Sequence, residues 1–294
     1  MGRIEPWQLI QRQGMSLEHK EIMSLSRIRV YYNKLDGKIY VAFSGGRDST
    51  VLLHLVRRIY PNAIAVFNNT GLEYPEVLDF VRKTKDVIWL IPKKSFLQVI
   101  EESGYPVVSK ENAQKIREIR TTNSQKLCNK RMFGDEKGNG KLSEKWKFMI
   151  DAPFDISEKC CKVLKERPAI SYEKKSGNSA IVGTMAIDSS LRKTSYLSHG
   201  CIQIGGNRNM LTPLSFWTDK DIKDYIVKYN LEISKIYSMG YEHTGCMFCA
   251  FGCQYDKPGE NKFSLMKHTH PKLFKYCMGK LGLEKIFKFM GVKL

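Results

Sequence analysis

The stretch from Ile39 to Val56 constrains the fold of this 294-residue chain more than any other, because it predicts a strand, a glycine turn and a helix in direct succession. The apolar run from Ile39 to Phe43 leads into Ser44-Gly45-Gly46, and helix-like sequence begins at Asp48-Ser49-Thr50. Glycines let the main chain approach a ligand closely, and the first N–H groups of a helix attract an anion. The segment therefore predicts a phosphate site in an α/β fold, although a plain strand-to-helix turn fits the same pattern.

The polar side chains of this turn suit phosphate chemistry. Ser44, Ser49 and Thr50 offer hydroxyl donors, and Asp48 can either cap the helix or hold a magnesium ion. The Gly-Lys-Ser/Thr ending of a Walker loop is missing. We therefore expect a phosphate-binding turn of another kind.

Alternating strand-like and helix-like segments predict the rest of the fold. Helical spacing over residues 16–35 precedes the first strand, and helix-like segments at 49–60, 75–85 and 95–103 separate the strands that follow. The strand-like apolar runs are Ile39 to Phe43, Ala63 to Phe67, Asp86 to Ile91 and Ala180 to Val182. This alternation predicts a doubly wound, mostly parallel α/β sheet, which binds ligands beyond the carboxyl ends of its strands.

The composition along the chain divides it into three segments. We expect an N-terminal helical segment over residues 1–36, a nucleotide-binding α/β domain over 37–217, and a helical, cysteine-rich region over 218–294. A basic, glycine-bearing insertion near 105–150 interrupts the domain. Its sequence fits a lid over the nucleotide and fits a disordered loop equally well.

The charge of the chain predicts an anionic partner. It contains 48 Lys and Arg against 30 Asp and Glu, a net charge of +18, and such a field attracts nucleic acid. The alternative is that lysine only keeps the surface soluble. The best candidate surfaces are Lys110, Lys115, Arg117, Arg120, Lys126, Lys130 and Arg131, and a second cluster over 159–175. No apolar run is long enough to span a bilayer, and a cytoplasmic location without membrane contact is expected.

Eight cysteines are many for a cytoplasmic chain, where disulfides are disfavoured. Cys246-x-x-Cys249 can bring two thiolates onto one metal, and Cys160-Cys161 lies upstream. A vicinal pair is awkward for tetrahedral zinc, whereas the separate irons of an iron–sulfur cluster can each take one of two adjacent cysteines. The residues alone therefore favour a cluster and leave zinc open.

The other cysteines and the histidines have weaker signals. Cys253 can replace one ligand or lie near the metal, and Cys128 sits in basic sequence that suits either a persulfide carrier or an exposed bystander. For Cys201 and Cys277 we expect structural positions, with a nucleophilic role for Cys277 as the alternative. Three histidines are metal-ligand candidates with core or surface roles as the stronger expectation: His243, His268 and His270.

Five segments, in order, resemble one known family. The turn at Ser44 resembles the Ser-Gly-Gly-x-Asp-Ser pyrophosphate loop (PP-loop) of the adenine-nucleotide α-hydrolase superfamily. The stretches Phe67–Glu76, Ile181–Arg192 and Pro213–Asp219 resemble segments of its phosphoadenosine phosphosulfate (PAPS) reductase family. The paired cysteines resemble those that hold a four-iron cluster in the adenosine phosphosulfate (APS) reductase branch. The resemblance covers residues 39 to 253.

The resemblance implies a set of site residues. The cofactor-binding residues would be Ser44, Gly45, Gly46, Asp48, Ser49, Thr50, Asn69, Thr70, Gly71 and Gly183, holding ATP with Mg²⁺, or APS or PAPS. Catalysis would fall to Asp48, Ser44 and Arg192. The ligands of a [4Fe–4S] cluster would be Cys160, Cys161, Cys246 and Cys249.

Two departures from the family pattern bear on the reaction. Met185 stands where the family has an arginine and Asp188 where it has a glutamate, so one phosphate or sulfate contact is lost. The reductases carry a catalytic cysteine in a C-terminal Glu-Cys-Gly-like tail, and the last cysteine here is Cys277, in helix-like sequence.

Three hypotheses of function follow. In the first, ATP adenylates an acceptor such as tRNA or DNA, pyrophosphate leaves, and sulfur then displaces AMP; the partners would include a sulfur-donor protein and, in a homodimer, a second copy. In the second, a thiolate attacks the sulfur of APS or PAPS and releases sulfite. In the third, the chain is a non-catalytic adenylate-binding module. Product analysis with each nucleotide discriminates the three.

Overall fold

A computed structural model describes residues 3–257 and 259–294, which fold as two compact units. The first unit takes the chain up to Asn69 together with Pro75–Ile91 and Pro168–Tyr237. The second consists of Thr70–Tyr74, Pro92–Arg167 and Ser238–Leu294. Both units are discontinuous in sequence, and the boundaries expected at 36 and 217 remain predictions.

Eight strands form two sheets. In chain order they are β1 (Ile39–Ala42), β2 (Ala65–Asn68), β3 (Val87–Leu90), β4 (Val107–Val108), β5 (Ser179–Val182), β6 (Ile202–Gln203), β7 (Met210–Leu211) and β8 (Ala250–Phe251). The first unit holds a six-stranded sheet in the order β3-β2-β1-β5-β7-β6, in which only the β6–β7 pairing is antiparallel. The expected mostly parallel α/β sheet is thereby confirmed. In the second unit β4 pairs with β8 in parallel.

Helices fill the remainder of both units. The α-helices are α1 (Pro6–Gln13), α2 (Leu17–Lys34), α3 (Arg47–Arg57), α4 (Pro75–Lys83), α5 (Phe96–Ser103), α6 (Lys110–Thr121), α7 (Gln125–Phe133), α8 (Lys159–Cys161), α9 (Arg167–Ser176), α10 (Ser190–His199), α11 (Asp219–Lys228), α12 (Lys262–Thr269), α13 (Pro271–Lys275) and α14 (Leu283–Met290). Shorter 3₁₀ turns and two π-helical turns, Lys162–Glu166 and Tyr276–Lys280, join some of them. No helix in the described part of the chain has both the length and the apolarity needed to cross a membrane.

The centre of the six-stranded sheet is apolar on consecutive residues, as strands covered on both faces require. Ile39, Tyr40 and Val41 of β1 are all buried, although Tyr40 and Val41 point to opposite faces. Tyr40 packs with Val66 of β2 and Ala180 of β5. Because β1 lies between β2 and β5, the loop that follows it emerges at the middle of the carboxyl edge of the sheet.

The insertion expected near 105–150 is mostly helical, so the alternative of a disordered loop is wrong for most of it, while the alternative of a lid stays a prediction. It contains α6, α7 and a 3₁₀ segment, Glu144–Asp151. Arg120 donates hydrogen bonds to the main-chain oxygens of Phe154 and Ala152, and the Arg117 guanidinium forms a bidentate pair with Glu158 at 2.8 and 3.0 Å. Charged side chains that suggested an exposed excursion thus hold its helices in place.

The same contacts correct the expected basic surface at 110–131. Six of its seven cations contact an acidic side chain or a main-chain oxygen: Lys110, Lys115, Arg117, Arg120, Lys130 and Arg131. Among residues 3–257 and 259–294, only Lys126 of the seven has no such partner. This cluster is therefore largely an internal ion-pair network.

Candidate active site

The turn after β1 requires glycine at Gly45 for two independent reasons. Its backbone lies at φ +72°, a left-handed conformation that side chains rarely adopt. A Cβ at this position would also lie 2.8 Å from Cγ1 of Val77 and 2.9 Å from Cγ2 of Val81, both in α4. Gly46 then precedes α3 as its N-cap, without a side-chain cap. The absence of side chains keeps the start of α3 open to a ligand.

Hydroxyl groups brace this turn from within. The Ser49 Oγ donates to the Gly46 oxygen at 2.9 Å and accepts from the Ser44 N–H at 3.1 Å, and it is buried. Thr50 Oγ1 also donates to the Gly46 oxygen, at 2.9 Å. The Ser44 side chain is exposed. Ser44 is therefore the hydroxyl that faces solvent, while Ser49 and Thr50 fix the shape of the loop.

The first turn of α3 carries Arg47 and Asp48. Because Gly46 is the N-cap, the expectation that Asp48 might cap the helix is wrong, and its carboxylate lies in the first turn. The Arg47 N–H donates to the Tyr237 hydroxyl at 2.8 Å, and the Arg47 guanidinium lies 4.6 Å from the centre of the Tyr237 ring. Tyr237 thus belongs to the site. Because it lies 190 positions after Arg47, no local sequence signal pointed to it.

Gly183 lies directly after β5 and touches the loop across the sheet edge. A Cβ there would be 3.2 Å from the Asp48 oxygen and 3.5 Å from the Ser49 nitrogen. Since both are main-chain atoms at the start of a helix, they cannot move aside easily. A Cβ at Gly183 would therefore force one of the two backbones to move by a few tenths of an ångström, and the predicted place of Gly183 by the phosphates stays a prediction.

The segment after Gly183 encloses a cavity of about 210 Å³ whose lining includes Thr184, Met185 and Arg192. Met185 is 1% exposed, and its N–H donates to Asp188 Oδ2 at 3.0 Å. The Arg192 guanidinium pairs with the same Asp188 carboxylate. An apolar thioether and a neutralised guanidinium thus face this cavity.

The remaining nucleotide candidates follow β2. The Asn69 N–H donates to the Leu90 oxygen at 2.8 Å, which extends the pairing of β2 with β3. In the second unit, the Glu73 carboxylate accepts from the Thr70 hydroxyl at 2.6 Å, the Thr70 N–H at 3.0 Å and the Leu72 N–H at 3.2 Å. Gly71 has φ +76°. Glu73 therefore holds the Thr70-Gly71 turn, a role that sequence reasoning missed.

Four cysteines of the second unit lie near one another. Cys160 and Cys161 form the end of α8, and the Cys249 N–H donates to the Cys246 oxygen at 3.1 Å, closing a tight turn. Burial and, after it, the charges of Cys161, Cys246 and Cys249 raise the pKa of the Cys160 thiol. Burial and, after it, the charges of Cys249 and Cys246 also raise the pKa of the Cys161 thiol. The predicted four ligands are thus grouped.

The four cysteines form an all-sulfur donor set with a lysine beside it. Within the described residues, no set of three His, Cys, Asp or Glu side chains converges as a single ion requires. Thiolates that bind separate irons of a cluster need not converge on one point. Burial lowers the pKa of Lys165, but hydrogen bonding and charge from Cys246, and then the charge of Glu73, outweigh it and raise that pKa. A cation beside the thiols favours their ionised, metal-binding form.

The other cysteines are enclosed or remote from this group. Cys253 is 3% exposed, its Sγ donates to the Ala250 oxygen at 3.1 Å, and burial raises its pKa to about 12. Cys277 is fully buried, and burial raises its pKa to about 12 as well. Cys201 is also buried, and Cys128 lies half-buried on α7. The expectation that Cys277 packs in the core agrees with its burial.

The fold and the loop define a nucleotide-binding α/β enzyme, and comparison with known proteins places it in a family. The chain matches the phosphoadenosine phosphosulfate reductase domain over residues 38–124 and 111–251. It therefore belongs to the PAPS reductase family of the adenine-nucleotide α-hydrolase superfamily. The family recognised from the sequence motifs is confirmed, as is the expectation of an enzyme.

Several relatives are similar over most of the chain. Adenosine 5'-phosphosulfate reductases of Geobacillus thermodenitrificans and Lysinibacillus sphaericus are 22% and 24% identical, covering 83% and 77% of this chain and 86% and 79% of their own. An uncharacterized protein of Methanocaldococcus jannaschii is 24% identical over 88% of this chain. The chain spans 52% of the length of that relative.

Two solved structures are similar at a coarser level. The PAPS reductase of Candida auris, in a phosphate complex, aligns with a TM-score of 0.44 at 16% identity, covering 79% of this chain and 96% of its own. A U34-tRNA thiolase of Methanococcus maripaludis with its [4Fe-4S] cluster aligns with a TM-score of 0.38 at 14% identity, covering 92% and 80%. TM-scores of this size carry no argument about activity.

Proposed function

We propose that this enzyme cleaves ATP to AMP and pyrophosphate by adenylating an acceptor, a tRNA or DNA base, for thiolation. The observation that carries the proposal is the environment of Met185. This residue is buried and lines the cavity after β5, and the Arg192 guanidinium on the same cavity is paired with Asp188. A sulfonate on APS or PAPS would meet no uncompensated cation among these three side chains. ATP has no sulfonate and therefore does not need an uncompensated cation at this position.

The loop supplies the electrostatic part of the reaction. Pyrophosphate would leave from the start of α3, where the positive end of the helix and the exposed Ser44 hydroxyl can hold its charge. Asp48, in the first turn, would hold a magnesium ion, which would offset part of the negative charge of the phosphates. Gly45 and Gly183 keep side chains out of this region. These groups stabilise charge that grows as the bond to the α-phosphorus breaks.

The chemical sequence balances with a sulfur nucleophile. A carbonyl oxygen of the acceptor attacks the α-phosphorus, and pyrophosphate leaves with the electron pair of the broken P–O bond. Hydrosulfide, or the terminal sulfur of a persulfide on a donor protein, then attacks the activated carbon. AMP departs with the former carbonyl oxygen, and loss of a proton leaves the thiocarbonyl. A persulfide donor requires a thiol reductant to release the product.

An iron–sulfur cluster fits the second unit. Cys160, Cys161, Cys246 and Cys249 would hold it, because they are an all-sulfur donor set whose thiols interact with one another. When bound, such a cluster supplies iron that can carry sulfide or electrons. Lys165 would balance part of its negative charge from the side of Cys246.

Reduction of APS is the second candidate, because relatives at 22% and 24% identity carry that name. That reaction needs a thiolate able to attack sulfur. Cys277, the last cysteine of the chain, is fully buried with a raised pKa, which argues against it as this nucleophile. Sulfite release would have to use another cysteine.

One experiment separates these reactions. Anaerobically purified protein is given ATP, sulfide and bulk tRNA or DNA in one tube, and APS or PAPS with a thiol reductant in another. We expect pyrophosphate and AMP in the first tube and no sulfite in the second. Sulfite in the second tube would show reductase activity and contradict the proposal. No product in either tube would favour an adenylate-binding module.

Asp48→Ala provides the matched control. Because Asp48 is not the helix cap, its removal should leave the fold intact and abolish pyrophosphate release. The circular dichroism and melting temperature of the variant verify folding. Full turnover by a folded Asp48→Ala variant would refute the assignment of the loop.

A further inference from the structure

The C-terminal part of the second unit is rich in unpaired cations. Residues 262–294 contain eight lysines and a single acidic residue, Glu284. Seven of the lysines are exposed, and none of the seven has an ion-pair partner in the part of the chain that the structure describes. We call these seven the lysine surface: Lys267, Lys272, Lys275, Lys280, Lys285, Lys288 and Lys293.

The helices that carry the lysine surface are firmly anchored. On α14, the residues Leu283, Ile286, Phe287 and Met290 are buried, while Lys285 and Lys288 are exposed one turn apart. Phe263 of α12 packs edge-to-face on the Phe287 ring with 4.8 Å between ring centres. A binding surface gains affinity when rigid helices hold its side chains, because less conformational freedom is then lost on binding. Lysines that only keep a surface soluble need no such support.

The lysine surface differs from the 110–131 cluster in how many of its cations have a partner. There, an acidic side chain or a main-chain oxygen engages six of the seven cations, so these side chains are less free to contact a partner. On the lysine surface the charge is uncompensated, and Lys272 and Lys275 are spaced by one helical turn. Unpaired, exposed lysines are the groups that replace counterions along a phosphate backbone.

The lysine surface adjoins the cysteine turn. Tyr276, which is 40% exposed, follows Lys275 directly, and its ring centre lies 5.8 Å from that of Phe248. Phe248 itself lies inside the turn between Cys246 and Cys249. Lys262, at the start of α12, donates from Nζ to the Cys246 oxygen at 2.9 Å. A ligand that touches Tyr276 is therefore next to the sulfur-bearing turn.

We propose that the lysine surface is a nucleic-acid-binding surface, on which the lysines contact phosphates and Tyr276 stacks on an unpaired base. The inference rests on the proposed function in one respect, since it identifies the bound strand with the acceptor. Exposed aromatic rings among cations are typical of surfaces that bind single-stranded segments and loops. An anionic membrane or an acidic protein would use the charge without the stacking.

Charge removal tests the phosphate contacts. Fluorescence anisotropy of labelled bulk tRNA is followed over a range of salt with the triple variant Lys272→Ala, Lys275→Ala, Lys280→Ala. We expect at least tenfold weaker binding and a salt slope lower by roughly 2, since each lost phosphate contact removes about 0.7 from the slope on single strands. The control triple variant removes exposed lysines of the first unit that have no ion-pair partner among the described residues: Lys34, Lys83 and Lys85.

Two outcomes of the charge-removal experiment would overturn the proposal, and a third would replace the nucleic acid by a membrane. An equal loss in both triple variants would mean that the net charge acts as a whole, and it would overturn the proposal. Unchanged binding in the C-terminal variant would overturn it too. Binding to vesicles of anionic lipid, weakened by the same three substitutions while tRNA binding is not, would replace nucleic acid by a membrane.

Tyr276→Leu tests the stacking. We expect about tenfold weaker binding to tRNA with an unchanged salt slope, because a ring is lost and no charge. Phe133→Leu, at a 71% exposed ring on α7, is the matched control and should bind as the wild type does. Wild-type affinity in the Tyr276 variant would remove the base contact from the proposal.

These results can be told apart from failure of the proposed function. If tRNA binds through the lysine surface but no pyrophosphate forms from ATP, the surface stands and the thiolation proposal fails. If pyrophosphate forms with tRNA at wild-type rates in the C-terminal triple variant, the thiolation proposal stands and this surface fails.

Discussion

At the scale of single residues, the site depends on positions where a side chain has no room. Gly183 is the most informative, because the atoms that a Cβ would approach are the main-chain oxygen of Asp48, at 3.2 Å, and the nitrogen of Ser49, at 3.5 Å. These distances give a reason for glycine at this position, while its predicted contact with phosphates stays a prediction. Its place is set by the close approach of the β5 end to the start of α3.

Gly183→Ala should weaken nucleotide binding more than it destabilises the protein. The added methyl group has to push the Asp48–Ser49 peptide away, which shifts the N–H groups that face a phosphate, and we expect the Kd for ATP to rise about tenfold, roughly 1.4 kcal/mol. Isothermal titration calorimetry measures the change. Gly206→Ala is the control, since nothing lies within 4 Å of a Cβ there and its φ is not positive. Equal Kd values for the two variants would contradict the argument.

At the scale of elements, one buried carboxylate joins three helices of the first unit. Glu21 of α2 accepts from Arg58 Nη1, which follows α3, at 2.6 Å, from Lys228 Nζ of α11 at 2.8 Å and from the Tyr229 hydroxyl at 2.7 Å. Its side chain is 5% exposed. Burial would raise the pKa of Glu21, but these hydrogen bonds outweigh it and lower the pKa below its ordinary value. The carboxylate therefore stabilises the fold in its ionised form.

Glu21→Gln should lower the free energy of unfolding by roughly 3 kcal/mol near neutral pH, because it leaves two cations without their buried partner. As the folded pKa is lowered, this contribution is present above the unfolded pKa and is lost as pH falls through the folded pKa. The difference between wild type and variant, from urea unfolding at a series of pH values, should shrink on acidification. Glu136→Gln, at an exposed carboxylate, should show no pH-dependent difference. A difference for Glu21→Gln that stays constant with pH would contradict this account.

The elements that could be predicted from sequence are those whose burial shows in the residue pattern. The apolar runs at Ile39 and Ala63 correspond to β1 and β2 because strands of a covered parallel sheet are apolar on consecutive residues. The pattern fails for α7, which has no buried residue, and for the two-residue strands β6 and β7. Arg131 of α7 pairs with Glu118 of α6, and β6 pairs with β7, so these positions depend on contacts between elements and not on an apolar pattern within one element. Local sequence carries no record of such contacts.

The same limit applies to the candidate site. The glycines and hydroxyls of the loop were predictable, because the turn itself needs them within a few residues. Tyr237 and Glu73 were not, since one reaches the Arg47 N–H from a distant segment and the other folds back on its own turn. The basic residues at 110–131 were misjudged because sequence shows a charge but not its partner. Whether Arg117 is free or paired with Glu158, 41 positions away, is decided by the tertiary fold.

At the scale of the whole molecule, the two units are stabilised in different ways. The first is organised by its six-stranded sheet. In the described residues, the second has the two-residue pair of β4 with β8 and one bridge between Tyr105 and Ile156, among many short helices. Main-chain contacts between distant segments, such as the Met247 N–H to the Leu72 oxygen at 2.8 Å, add to its core. A unit of this kind gains most from a ligand that ties segments together, and the proposed cluster would join α8 to the Cys246–Cys249 turn.

Cluster binding should therefore stabilise the chain, and Cys249→Ser should remove that gain. Because binding to the folded state adds to the free energy of unfolding, anaerobic reconstitution with iron and sulfide should raise the melting temperature of the wild type by roughly 5 °C. About four irons per chain and a brown colour should accompany the shift. The Cys249→Ser variant should bind no iron, stay colourless and show no rise in melting temperature. The Cys128→Ser variant, changed at a half-buried cysteine of α7, should show all three effects as the wild type does. Full iron content in the Cys249 variant would mean a different ligand set, and one tightly held zinc ion per wild-type chain, with no iron, would mean that the four thiols serve zinc.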